Sequence, residues 1–113
     1  MTGTPFALSL THAPFGLIVR VVGEIDMATA PELGEAIGSA GDRTRRIVVD
    51  LTEVSFLDSS ALNTLVGCQR AAAARQIQLC VVSPADRAVR RVFEIAHLAE
   101  PLGLVDSLDR ALA

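Results

Sequence analysis

The run Ile47 to Leu62, IVVDLTEVSFLDSSAL, changes its period midway, and that change decides the fold. Ile47, Val48 and Val49 are β-branched, as a buried strand prefers, whereas Leu62, Leu65, Val66 and Gln69 recur at helical spacing. A strand over Arg46 to Leu51 and a helix over Ser60 to Arg75 are therefore expected, with Phe56 and Leu57 as apolar residues in the loop between them. The change of period falls at Asp58-Ser59-Ser60. Free backbone N–H groups and the positive end of the helix dipole concentrate at such a start, so a phosphoryl group on Ser59 or Ser60 would meet a favourable field. Asp and Ser are also the ordinary helix-capping residues. Two hydroxyls exceed what one cap needs, and both readings, cap and switch, stand at this point.

Working outward, Phe6 to Thr11 and Leu17 to Val22 read as two strands joined by a turn at His12 to Phe15, an antiparallel hairpin. Thr29-Ala30-Pro31-Glu32 matches a capping box, with Thr29 as the cap, Glu32 three residues on and Pro31 inside the tolerant first turn. The helix it opens runs to about Ala40 through Leu33, Ala36 and Ile37, with Gly41 ending it. Downstream, Gln78 to Val82 is the fourth strand. Ser83-Pro84-Ala85-Asp86 is expected to start a third helix with the stripe Val89, Val92, Phe93 and Ala96. Gly103 to Val105 reads as a short edge strand and Ser107 as the cap of a last helix through Ala111. The fold class is thus α/β: a mixed, mostly parallel sheet with an amino-terminal antiparallel hairpin, covered by packed helices and joined by right-handed crossovers.

With 113 residues, one domain over 1–113 is expected. Half of the residues are hydrophobic, yet the only aromatics are four Phe, so Val, Leu, Ile and Ala must build the core. A formal charge of −3 offers no basic field for nucleic acid, and the cluster Arg43, Arg45, Arg46 is small. No apolar run reaches the roughly 18 to 20 residues of a membrane span, and the leading MTGTPFALSL lacks the order of a signal peptide, so a cytoplasmic protein without membrane insertion is expected. Cys68 and Cys80 form no CxxC and have no neighbouring His, which indicates neither zinc nor a redox pair and makes them small buried hydrophobes.

Enzyme chemistry finds little support. Ser59 and Ser60 are flanked by Asp58 and Ala61 rather than by the glycines of a nucleophile elbow, and the only histidines are His12 in the first turn and His97 at a helix end. No glycine-rich phosphate loop occurs, and lysine is absent altogether. Glu24 and Asp26, two residues apart, lack a third ligand nearby, so a surface contact site is preferred to a metal site. No cofactor, no metal and no catalytic residue are expected.

Gly23-Glu24-Ile25-Asp26 after a strand, then Val49-Asp50-Leu51, then Phe56-Leu57-Asp58-Ser59-Ser60, together resemble the STAS domain of bacterial anti-sigma factor antagonists, over essentially the whole chain. The resemblance implies a non-enzymatic regulator that binds a serine-kinase anti-sigma factor, so that a sigma factor is released, and that is inactivated by phosphorylation of Ser60. It further implies that Asp58 shapes the loop and helix start, that Ser59 is a contact or assisting hydroxyl, and that Asp26 and Thr29 lie on the kinase-facing surface. Phe56 and Ala61 are counted with that surface, where an apolar patch of Phe56, Leu57 and Ala61 would suit a partner; packing of the same residues beneath the loop is the other reading. Ala61 departs from the family, in which glycine commonly follows the serine pair. The alternative is a STAS docking subunit of a membrane lipid-transport ATPase, with no phosphorylation. A serine phosphatase as second partner, and the oligomeric state, stay open.

Overall fold

The computed structural model describes residues 4–113; the first three residues of the stretch read for a leader lie outside them. The chain runs β1 (Ala7–Ala13), β2 (Gly16–Ile25), α1 (Ala30–Gly38), β3 (Arg46–Leu57), α2 (Ser59–Ala74), β4 (Gln78–Val82), α3 (Ala88–Ile95) and α4 (Leu108–Leu112). One sheet has the order β1-β2-β3-β4. The first pair is antiparallel and the other two are parallel, as the expected hairpin followed by crossovers requires.

Alternation along the strands divides the apolar residues between two faces. Leu17, Ile47 and Leu79 align across β2, β3 and β4, and Val19, Val49 and Val81 align two residues on. They form the main core with Leu33 and Ile37 of α1, Leu65 of α2 and Phe93 of α3. Val48 and Val82 point the other way, where Ala111, Leu108 and Phe15 cover them. The centre of the sheet is therefore buried on both sides, which explains why its strands read as continuous apolar runs.

Several boundaries differ from those expected, each for a local reason. The hairpin turn is only Pro14-Phe15, because β1 continues to Ala13 and His12 pairs with Leu17 instead of turning. β3 extends six residues past Leu51, so Phe56 and Leu57 are strand residues opposite Glu24 and Ile25, not loop residues. The third helix begins at Ala88 rather than at Pro84: Pro84 to Arg87 closes a turn, and the Arg87 guanidinium reaches across to the Thr52 carbonyl at 2.8 Å. Gly103 to Val105 makes no strand beyond one bridge from Val105 to Val82, since Gly103 takes φ 57° and its N–H bonds back to Glu100. Ser107 caps α4 as expected, its hydroxyl accepting from Arg110 N–H at 3.2 Å.

Two helices end on a left-handed residue that is not glycine. After α2, Gln76 at φ 60° donates to Ala73 O while Ile77 N–H reaches Ala72 O. After α3, His97 at φ 58° donates to Glu94 O and Leu98 N–H reaches Phe93 O. Both are Schellman closures, in which a side chain at the left-handed position costs energy that glycine avoids. His97 thus ends α3 through its backbone. The opposite case is Gly16, at φ 149°, where an added Cβ would lie 2.1 Å from the Arg46 carbonyl oxygen.

Gln76→Gly is expected to stabilise the protein by about 0.5–1 kcal/mol, read as a higher urea midpoint with an unchanged slope. Gly16→Ala is expected to lose about 2 kcal/mol or more in the same titration, because backbone must move to admit the methyl group.

Candidate functional site

The parallel strands β2 and β3 stop at the same level, Ile25 beside Leu57, and the chain leaves both at their carboxyl ends. Asp58 N–H donates to Ile25 O at 3.2 Å, which ties the second exit to the first. The loop Asp26 to Thr29 and the helix start Asp58 to Ser60 therefore lie side by side.

Asp58 is the N-cap of α2. Its backbone is extended, and its Oδ1 accepts from Ser60 N–H at 2.9 Å and Ala61 N–H at 3.3 Å, satisfying two donors that a helix start leaves free. Ser59 is exposed on the first turn and Ser60 is half-buried. Among the described residues neither hydroxyl is hydrogen-bonded to a histidine. Ala61 is fully buried. Its methyl belongs to the core beneath the serines, not to the outer surface on which it was expected.

The neighbouring loop is built differently from the capping box read in the sequence. Thr29 has helical backbone angles and makes no capping bond; its hydroxyl instead accepts from Asp26 N–H at 2.9 Å and donates to Glu24 O at 3.2 Å. The Glu32 N–H goes to the Thr29 carbonyl at 3.1 Å, and Asp26 holds the turn before the helix, with Oδ1 accepting from Ala28 N–H at 2.9 Å and Thr29 N–H at 3.1 Å, and its carbonyl from Ala30 N–H at 2.8 Å. Each loop is thus held by one aspartate whose side chain folds back on the following N–H groups.

Apolar surface flanks the pair. Phe56 is 48% exposed at the end of β3, and Met27, at the tip of the first loop, is 78% exposed. Met27 was not singled out in the sequence; the available signal was a lone large apolar residue between Asp26 and Ala28, where strand gives way to helix. The structure brings Asp26, Thr29, Phe56, Asp58, Ser59 and Ser60 to one end of the sheet, with Ala61 below.

Among the described residues no group of three or more His, Cys, Asp or Glu is placed to hold a metal ion, and no helix is long and apolar enough to cross a membrane. The two thiols are half-buried rather than buried. Burial pushes Cys68 above the ordinary thiol range; it does the same to Cys80, with the Arg46 charge working against it.

Comparison with known proteins agrees with this architecture. The STAS domain family matches residues 8–111, and the chain belongs to that family. It is 39% identical over 83 residues to the anti-sigma-B factor antagonist of Staphylococcus aureus, a match covering 73% of this chain and 76% of that one. An anti-sigma factor antagonist from Mycobacterium paratuberculosis superposes with a TM-score of 0.85 at 31% identity, over 98% of this chain and 96% of the other. The Bacillus cell fate determinant SpoIIAA in its phosphorylated form shares the fold, with a TM-score of 0.70 at 22% identity over 94% and 96% of the two chains.

Asp58→Ala is expected to cost about 1–2 kcal/mol in thermal unfolding, because two N–H groups lose their acceptor, whereas Asp58→Asn, which keeps an oxygen there, is expected to cost clearly less.

Proposed function

We propose that this chain is an anti-sigma factor antagonist, a regulator without catalytic activity, that binds an anti-sigma factor with serine-kinase activity and so frees a sigma factor. Phosphorylation of Ser60 by that kinase ends the interaction. The observation that carries the reading is the position of Ser60, half-buried on the first turn of α2 beside the Asp58 cap and the Asp26 loop, in a chain whose relatives are named anti-sigma-B factor antagonists. Those relatives favour it over a docking subunit of a lipid-transport ATPase.

The electrostatics fit a switch. A phosphate on Ser60 adds about 1.5 to 2 negative charges at neutral pH, next to the Asp58 carboxylate and at the same end of the sheet as the exposed apolar side chains Met27 and Phe56. An unmodified hydroxyl is easily covered by a partner. A doubly charged group is costly to bury there, and the cost falls on the complex, not on the fold. In this reading Asp26, Thr29, Phe56, Ser59 and Ser60 meet the kinase, while Asp58 and Ala61 hold the surface from behind. A serine phosphatase would restore the binding form.

With the purified partner kinase and ATP, phosphate is expected on the wild-type protein and none on Ser60→Ala, as read by intact mass and site mapping. Ser60→Asp is expected to bind the kinase at least about tenfold more weakly than wild type, with the same melting temperature. Phosphate that persists on Ser60→Ala would move the acceptor to Ser59 or elsewhere.

A further inference from the structure

We propose that the groove between α1 and α2 is a binding site for a small carboxylic acid with an apolar body. The two helices come close at Gly34, where an added Cβ would lie 3.4 Å from Thr64 Cγ2. Past that point the space opens. At Gly38 on α1 and Gly67 on α2 an added Cβ would meet no atom within 4 Å, so two absent side chains leave a cavity of about 260 Å³. Its floor is Ile37, Ile47 and Ile77, all part of the main core.

Arg75 lines the far end. Its Nη2 donates to Ala40 O at 3.1 Å and Gly41 O at 3.4 Å, spanning from the end of α2 to the chain just after α1. The nearest carboxylate is Asp42, at 3.7 Å and fully exposed, which screens the guanidinium weakly. Nε and Nη1 form no hydrogen bond among the described residues. No acidic side chain lines the cavity, where the other polar groups are the neutral Asn63 and Thr64 and the Cys68 thiol. A fixed cation at one end of an apolar space selects an anion with an apolar tail, and a carboxylate matches the guanidinium fork. A space of about 260 Å³ suits a medium-chain or single-ring acid. The groove begins one helical turn beyond the serine pair, at Asn63 and Thr64, and the proposal does not depend on the switch proposed above.

Octanoate and, as its neutral counterpart, octanol are the probes, titrated into labelled protein while backbone amide resonances are followed. Saturable shifts at Gly38, Gly67 and Cys68 in the millimolar range or tighter are expected with octanoate. Gly67→Leu fills the groove and replaces a poor helix former with a good one, so it is expected to unfold cooperatively at or above the wild-type temperature and to lose the shifts. Arg75→Gln is expected to weaken octanoate about tenfold while leaving octanol unchanged. Absence of saturable shifts, or shifts that persist in Gly67→Leu, would overturn the site; octanoate binding unaffected by Arg75→Gln would overturn its selectivity for a carboxylate.

Discussion

A twelve-residue strand, β3, is hydrogen-bonded to a parallel neighbour on each edge and covered on both faces, and the arrangement at the end of the sheet depends on it. Its burial dictates its composition: Ile47, Val48 and Val49 serve two cores at once, which only an unbroken apolar run can do. Its length sets where the next helix starts. Because β3 runs to Leu57, the capping aspartate falls level with the end of β2, and the two exits meet.

From that meeting the surface follows with little freedom left. Asp58 is fixed by its own N–H on Ile25 and by its carboxylate on the α2 start, and Asp26 holds the adjoining turn in the same manner. Two short polar side chains, each spent on backbone, present Ser59 outward and leave Ser60 half-covered. The site is thus assembled from local hydrogen bonds on a rigid base, and among the described residues the Ser59 and Ser60 hydroxyls take no part in them. In the function proposed above, such a division is what allows a phosphate on Ser60 to act on association while the fold stays as it is.

Much of this was legible in the sequence because it rests on local chemistry. The period change at Asp58, the β-branched run and the Ser107 cap are all decided within a few residues. What escaped depended on contacts distant in the chain. Phe56 and Leu57 read as loop because Thr52, Glu53 and Ser55 interrupt the apolar pattern, yet the pairing with β2 carries the strand through them. Thr29 and Glu32 had the spacing of a capping box, but Asp26 takes the Thr29 N–H and the Thr29 carbonyl takes the Glu32 N–H. The start of α3 was displaced by Arg87, whose bond to Thr52 crosses 35 residues. Ala61 looked like surface because it follows exposed serines, and the helical turn carries its methyl inward.

The strand order along the sheet is also the strand order along the chain, β1 to β4, and the late bridge from Val105 falls on β4, the strand laid down last. Every strand therefore pairs with the one made just before it, with at most one helix between. On a ribosome, each new edge finds its template already formed, and the nascent sheet grows by addition at one side only. Each open edge waits only for the next strand in the chain, at most one helix away.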